Sequence, residues 1–108
     1  MGAYFYKKPF VMFNRVADTS RGEHPHAILG RIDDKFVSMN VTHSKNIFGK
    51  TTMKLAKNPE DSYLVTDDVY ILPIGTYKKG VKSSWSGFAE SDVEKMKQFV
   101  RSHKNIVR

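Results

Sequence analysis

The stretch that decides the fold is His26-Ala-Ile-Leu-Gly-Arg-Ile32, followed by Asp33-Asp34 and then by Lys35-Phe-Val-Ser-Met-Asn-Val41. Both outer segments are rich in apolar and β-branched residues, which favours strands. The two aspartates between them are typical of a tight turn. In the second segment Phe36, Ser38 and Asn40 alternate with Val37, Met39 and Val41, so each set is expected on its own face. The sequence therefore predicts a β-hairpin.

Short apolar segments outside this hairpin predict further strands. They are residues 10–13, 51–55, 62–66 and 69–74, separated by polar loops and turn residues. Near the end of the chain, Ser91 and Glu94 have the spacing of a capping box, and apolar residues then recur at helical spacing. This pattern predicts a helix over about 91–104. We expect a mainly β (α+β) fold over residues 1–108: a small, SH3-like, strongly bent antiparallel β barrel of five to six strands with a C-terminal α-helix.

Length and composition are those of one globular domain. The chain has 108 residues, of which 40% are hydrophobic and 12% aromatic, and it has no cysteine. The missing cysteines exclude disulfides, thiolate metal sites and cysteine nucleophiles. No apolar run is long enough to span a bilayer, and Lys7, Lys8 and Pro9 interrupt the N-terminal segment that a signal peptide would need. We therefore expect a soluble cytoplasmic protein without membrane contact.

The charge balance points to a polyanionic partner. Lys and Arg number 18 against 11 Asp and Glu, which gives a net charge of +7. Such a balance favours RNA or DNA, although a merely soluble basic domain would look the same. An acidic block, residues 58–77, separates two basic segments of the chain. The fold could gather these basic segments on one surface.

No motif in the chain indicates a metal ion or a cofactor. The four histidines are His24, His26, His43 and His103, and none forms an H-x-x-x-H pair. The chain also lacks a glycine-rich phosphate loop and a G-x-S-x-G nucleophile motif. We therefore expect chemistry that uses neither metal nor cofactor.

One short segment could carry such chemistry. Val41-Thr-His-Ser-Lys45 places two hydroxyls, an imidazole and an ammonium directly after a strand. Cleavage of RNA without metal requires loss of a proton from the 2′-OH, stabilisation of the phosphorane and protonation of the leaving 5′-oxygen. A histidine can perform either proton transfer, and lysine and hydroxyl groups can hold the phosphate. The same residues also suit an ordinary polar loop, in which Thr and Ser bond to nearby backbone groups.

The order of elements resembles that of the MazF/PemK toxins and of the related ToxN-type endoribonucleases. The matching segments are residues 22–29, 36–45 and 50–55, within a region from residue 9 to about residue 75. The resemblance implies an SH3-like barrel that cleaves single-stranded RNA without metal and leaves a 2′,3′-cyclic phosphate. It also implies an antitoxin partner, either protein or RNA, and a possible homo-oligomer.

Candidate catalytic residues follow from this resemblance. Thr42 matches the threonine at the end of a strand in these toxins, and Ser44 and Lys45 resemble the hydroxyl and lysine that follow it in the ToxN-like branch. His24 stands where MazF-like toxins have an arginine before the proline. His43 lies inside the motif and is the rival candidate for proton transfer. The choice between the two histidines stays open at this stage.

Further residues are candidates for RNA binding. They are Arg21, Lys50, Thr52, Lys54 and Trp85. Trp85 could stack on a base, although a lone tryptophan before a helix is more often part of a core. Tyr4, Phe5 and Tyr6 with Lys7 and Lys8 fit either a nucleic-acid surface or an N-terminal strand. The functional alternative to a nuclease is a non-catalytic nucleic-acid-binding module on the same SH3-like fold.

Overall fold

The structure, a computed structural model, describes residues 4–14, 24–42, 49–56, 62–79, 87–102 and 105–108. Within these residues the chain forms seven strands, one 3₁₀ helix and one α-helix. They are β1 (Tyr4–Asn14), β2 (His24–Ile32), β3 (Lys35–Thr42), β4 (Thr52–Lys54), β5 (Tyr63–Val65), β6 (Val69–Pro73), the 3₁₀ helix Ile74–Thr76, α1 (Glu90–Ser102) and β7 (Ile106–Val107). The predicted mainly β class with a C-terminal helix is confirmed.

Strands β2 and β3 form the predicted hairpin at the centre of the sheet. Ile32 pairs with Lys35, and Asp33 and Asp34 make the turn between them. Asp33 has a φ of 51°, a left-handed conformation that Asp tolerates better than most residues. The sheet continues outward in the order β1-β2-β3-β5-β4, while β6 also pairs with β3 and β7 pairs in parallel with β6.

A pronounced irregularity bends β1 and β2. The pairing moves from Phe5↔Gly30 to Phe10↔Ile28, so four residues of β1 stand against Leu29 alone. Pro9, within this segment, has no N–H to donate to a ladder, and extra residues of this kind bend a strand. At Gly30 a Cβ atom would lie 2.2 Å from the Tyr4 backbone oxygen, so only glycine allows this approach without movement of the backbone.

The expectation of a barrel needs correction, because the sheet is not closed. Its main path ends at β1 and β4, and these strands do not pair with each other in the described part of the chain. Strands β4 and β5 have only three residues each, which is too short to curve back to β1. After the 3₁₀ helix the chain crosses to β1 and makes one isolated bridge, Phe13↔Lys78. The structure also has a seventh strand, the two-residue β7, whereas the sequence predicted five to six strands.

The central hairpin has two buried faces. Its helix face carries Ala27, Leu29, Val37, Met39 and Val41, which join Met96 of α1 in the main core. The opposite face carries Ile28 and Phe36, which pack on Tyr77 in a smaller cluster. We call this second side the tyrosine face. It also carries the polar side chains that form the candidate site.

Helix α1 begins slightly earlier than the capping box predicts. The Val93 N–H donates to the Ala89 carbonyl oxygen at 3.0 Å, so Ser91 lies inside the first turn and does not precede it. The buried Asp92 carboxylate accepts a hydrogen bond from the Ala56 backbone N–H at 2.7 Å. This tertiary contact fixes the start of the helix against the chain after β4. The helix ends at Ser102, and the last residues of the predicted span, 103 and 104, lie outside the described residues.

Candidate active site at one end of the sheet

The structure describes half of the residues that the sequence nominates. His24 lies at the start of β2, Thr42 at the end of β3, and Thr52 and Lys54 in β4, while Lys50 precedes β4. The other five candidates, Arg21, His43, Ser44, Lys45 and Trp85, lie outside the described residues. For these five the assignments stay predictions.

His24 and Thr42 lie at the same end of the central hairpin. His24 is two residues before His26 in β2, and Thr42 is two residues after Asn40 in β3. His26 and Asn40 form the last residue pair between the two strands at this end of the hairpin. Residues two apart in a strand share a face, and so do directly paired residues. The side chains of His24, His26, Asn40 and Thr42 therefore all project from the tyrosine face.

This end of the sheet carries a line of polar side chains across five strands. Asn14 pairs with His24, Thr42 pairs with Tyr63, and Tyr63 pairs with Lys54. Their neighbours Val41 and Leu64 lie in the main core on the opposite face. We call the five residues Asn14, His24, Thr42, Tyr63 and Lys54 the polar row. The row combines an imidazole, hydroxyl groups, an amide and an ammonium group on one face of the sheet.

Charge is distributed along the polar row and at its two ends. Lys54 is exposed at the β4 end, and Thr52, two residues earlier in the same strand, lies on the same side. At the β1 end, Lys78 pairs with Phe13, the residue next to Asn14, and Lys78 and Lys79 are exposed. A polyanion that crosses the row would meet cationic side chains at both ends.

Lys50 lies away from this row. Its ammonium nitrogen is 2.8 Å from the carboxylate of Asp68, which is almost fully buried. Asp68 also accepts a hydrogen bond from the side chain of Asn105, and Asp67 accepts one from the Thr51 N–H. These contacts hold Lys50 near the β5–β6 turn, at the opposite end of β4 from Lys54. Asp67 and Asp68 therefore tie neighbouring segments of the chain together.

Below the row, a buried hydrogen-bond chain runs through the tyrosine face. The Nδ1 atom of His26 is 3.0 Å from Ser38 Oγ, and Ser38 Oγ is 2.8 Å from the Tyr77 hydroxyl. The His26 ring also makes an edge contact with Tyr70 at 4.9 Å between centroids. Burial, followed by the nearby charge of His24, lowers the pKa of His26 to about 4. His26 is therefore neutral at physiological pH.

Tyr77 is the other end of this chain. Burial raises the pKa of its phenol above the ordinary value, while the hydrogen bond with Ser38 acts in the opposite direction. The phenol therefore keeps its proton at neutral pH and has that proton available for a hydrogen bond.

Three buried polar atoms on this face have no hydrogen-bond partner among the described residues. They are His24 Nε2, His26 Nε2 and Asn40 Oδ1. A buried donor or acceptor left without a partner costs about 1–3 kcal/mol. The three atoms belong to neighbouring positions of β2 and β3. Buried polar atoms are rarely left unpaired, so these three are exceptions to the usual pattern.

Sequence reasoning did not nominate six residues of this region, namely Asn14, His26, Ser38, Asn40, Tyr63 and Tyr77. For Asn40 and Ser38 the signal was present, because their alternation with Val37, Met39 and Val41 already set them on a shared face. Tyr63 and Tyr77 reach the site through contacts with residues that are distant in the sequence. No local sequence pattern predicts these contacts.

Two further properties concern metal ions and membranes. Within the described residues, no three His, Asp or Glu side chains lie close enough together to hold a metal ion. Helix α1, the one α-helix in that part of the chain, is too short and too polar to cross a membrane. Neither finding adds a group to the polar row.

Comparison of the chain with protein-family models, with curated proteins and with solved structures gives no match. The resemblance to the MazF/PemK and ToxN-type toxins therefore depends on the motifs in residues 22–55 alone. The candidate site is defined by its own geometry and charge, and these comparisons assign the chain to no family.

Proposed function

We propose that the protein is a metal-independent endoribonuclease that cleaves single-stranded RNA and leaves a 2′,3′-cyclic phosphate. The observation that carries the proposal is the position of His24 and Thr42 on the same face and at the same end of neighbouring strands. A proton-transfer group and a phosphate-binding hydroxyl must lie within one nucleotide of each other. The shared face and the shared end of the hairpin support such a pairing of these two residues.

The reaction is an intramolecular transesterification. The 2′-oxygen forms a bond to phosphorus, and the bond from phosphorus to the 5′-oxygen breaks. The imidazole of His24 accepts the proton of the 2′-OH. A second group returns a proton to the leaving 5′-oxygen, and His43 is the candidate for this step. Water is not consumed, so the cyclic phosphate is the direct product.

Thr42 and Lys54 hold the phosphate in this proposal. The Thr42 hydroxyl donates to a non-bridging oxygen, while the Lys54 ammonium supports the negative charge that builds up on the phosphorane. Tyr63 lies between them in the row and offers a ring face on which an unpaired base can stack. Ser44 and Lys45, which follow Thr42 in the chain, are proposed to contact the same phosphate.

The overall charge supports an RNA substrate. A net charge of +7 attracts single-stranded nucleic acid over distances longer than direct contact. The same charge suits an antitoxin that is acidic or is itself RNA, and we include such a partner in the proposal. This partner would cover the polar row and so prevent cleavage.

The test is cleavage of a single-stranded RNA of mixed sequence by the purified protein in EDTA. We expect fragments with 2′,3′-cyclic phosphate ends from the wild type and at least about 100-fold slower cleavage by His24→Ala, because general acid–base catalysis contributes about 10²–10⁴-fold. Thr42→Ala should also be slow. Thr66→Ala is its matched control, because Thr66 is a sheet-end threonine that bonds to Thr51 at the opposite end of β5.

Two outcomes would contradict the proposal. Intact RNA after incubation with a correctly folded wild type would exclude the proposed endoribonuclease activity. If that protein still bound RNA, with affinity falling steeply as salt rises, it would be a non-catalytic nucleic-acid-binding module. Cleavage at the wild-type rate by both His24→Ala and Thr42→Ala would instead place the active site elsewhere in the chain.

A further inference from the structure

The N-terminal half of β1 exposes aromatic rings that the proposed nuclease does not use. Tyr4 is 66% exposed and Phe10 is 40% exposed, while Tyr6 between them is half-buried. Phe10 pairs with Ile28, and Tyr6 packs on the cluster that contains Ile28, so these rings project from the tyrosine face. Tyr4 is two residues before Tyr6 and shares this face. We call Tyr4, Tyr6 and Phe10 the aromatic strip.

The chain that follows β6 separates the aromatic strip from the polar row. Thr76 Oγ1 accepts a hydrogen bond from Asn14 Nδ2 at 2.9 Å, and Lys78 exchanges two backbone hydrogen bonds with Phe13. Tyr77, between these contacts, belongs to the buried cluster of the tyrosine face. This segment therefore crosses the face between the exposed rings and the candidate active site. The strip is a surface of its own.

The residues around the strip are typical of a protein–protein interface. Met12 follows Phe10 on the same face, and Arg31 is the cross-strand partner of Tyr4. Aromatic residues, Met and Arg are enriched at the centre of such interfaces, whereas Lys, Asp and Glu are depleted. The lysines at residues 7–8 line a groove between β1 and α1 instead. The composition of the strip therefore indicates a protein partner.

The spacing of the three rings fits a second copy of the chain. The centroid of the Tyr6 ring lies 5.6 Å from that of Tyr4 and 5.4 Å from that of Phe10. A two-fold axis at Tyr6 would therefore place Tyr4 of each copy on Phe10 of the other, as an isologous interface requires. The same axis brings Arg31 of one copy near Phe10 of the other, where a guanidinium over the ring is favourable.

Charge at this end of the sheet also favours a second copy over a polyanion. The described charged residues at the hairpin end beside the strip are Arg31, Asp33, Asp34 and Lys35. Two cationic and two acidic side chains give this end no net charge, so it offers little attraction to RNA. Two copies that each carry a net charge of +7 repel each other least where such a neutral surface lies between them.

We propose that the aromatic strip is a self-association surface, through which two copies of the chain form a two-fold symmetric dimer. Each aromatic side chain buries at most about 150–250 Å². Three of them cover less than the roughly 800 Å² per partner of a standard interface, so the dimer dissociates on dilution. This inference goes beyond the proposed RNA cleavage and does not depend on it.

The test is sedimentation velocity of the full chain from low micromolar to millimolar concentration. We expect the wild type to change from monomer to dimer over this range and to associate more tightly as salt rises, because salt screens the repulsion between copies. Tyr4→Glu and Phe10→Lys should each weaken association by at least about 10-fold, because each places an unpaired charge against an apolar ring.

The double variant Tyr4→Glu, Phe10→Lys tests the two-fold geometry. Its new carboxylate and ammonium groups cancel, so it keeps the wild-type net charge of +7. The axis at Tyr6 places the carboxylate of each copy against the ammonium of the other. We therefore expect the double variant to associate within about 3-fold of the wild type, because opposite charges that meet at an interface fix its register.

Val107→Glu is the matched control. It makes the same change in net charge as Tyr4→Glu, but Val107 is a half-buried residue of β7, which pairs with β6 and not with β1. Its self-association should equal that of the wild type. Circular dichroism checks the fold of each variant. If Phe10→Lys fails to fold, Tyr4→Glu still decides, because the largely exposed Tyr4 side chain is not part of a core.

Three results would each overturn the proposal: a wild type that stays monomeric at all concentrations, equal association of Tyr4→Glu and wild type, or a double variant no tighter than the single ones. If the wild type is monomeric and Tyr4→Ala weakens its binding of RNA, RNA and not a second copy covers the strip. All of these results can be read whether or not the protein cleaves RNA.

Discussion

His26 Nδ1 lies 3.0 Å from Ser38 Oγ inside the sheet, and this bond holds a neutral imidazole where solvent does not reach it. The His26 pKa of about 4 means that the folded protein resists protonation of this ring. In the unfolded chain the ring titrates near 6.5. The unfolded state therefore binds one more proton than the folded state between these two values, and stability depends on pH in that window.

The first prediction is a loss of stability in mild acid. The contribution of His26 to the free energy of unfolding is fully present above pH 6.5 and is lost as the pH falls toward 4. This contribution amounts to up to about 3 kcal/mol. Urea unfolding at pH 7.5 and pH 4.5 measures it. His26→Phe should be less stable at pH 7.5, because the bond to Ser38 is gone, but it should lose less stability on acidification. An equal loss in both proteins would contradict the assignment.

The second prediction concerns the close approach of β1 and β2. Gly30→Ala places a methyl group too close to the Tyr4 carbonyl oxygen, so the N-terminal part of β1 has to move. We expect a decrease of about 1–3 kcal/mol in the free energy of unfolding, which is typical of overpacking. Gly75→Ala is the control, because nothing lies within 4 Å of its added Cβ. Equal stability of Gly30→Ala and wild type would show that β1 is not held at this distance.

The hairpin and the helix were predictable because their signals are local. Alternation over residues 35–41 and the pair Asp33-Asp34 define the hairpin without reference to distant residues. Closure of the barrel is different, since it depends on how far β4 and β5 extend and on where the segment after Thr76 returns. The sequence shows neither property, and the open sheet was therefore missed. The start of α1 also depends on a distant contact, between Asp92 and Ala56.

In the candidate site, too, the features with local signals were predictable and those that depend on long-range pairing were not. That His24 and Thr42 lie near each other follows from hairpin register, which the sequence predicts. Lys50 and Lys54 look equivalent in the sequence, but Lys50 is held by Asp68, 18 positions along the chain. Tyr63 reaches the polar row only because β5 pairs with both β3 and β4. Long-range pairing thus decides which of several similar side chains share a surface.

The third prediction tests this difference between the two lysines. Lys54→Ala should remove one phosphate contact and lower the slope of log affinity against log salt by about 0.7 for single-stranded RNA. Lys50→Ala should leave that slope near the wild-type value, because Asp68 already neutralises this charge. Lys35→Ala, an exposed lysine at the hairpin turn, is the control for nonspecific charge. Equal slopes for Lys54→Ala and Lys35→Ala would place the RNA elsewhere.

The fourth prediction concerns Tyr63. Its position between Thr42 and Lys54 places an aromatic ring in the path of RNA along the polar row. Tyr63→Ala should weaken binding of a non-cleavable single-stranded RNA by about 5- to 150-fold, which corresponds to about 1–3 kcal/mol of stacking. Tyr63→Phe should bind nearly as well as wild type, because the ring face remains. Tyr4→Ala is the control, since Tyr4 is 66% exposed but belongs to the opposite end of β1. If Tyr63→Phe and Tyr63→Ala lost the same affinity for RNA, the Tyr63 hydroxyl and not its ring would make the contact. The prediction that a base stacks on Tyr63 would then be wrong.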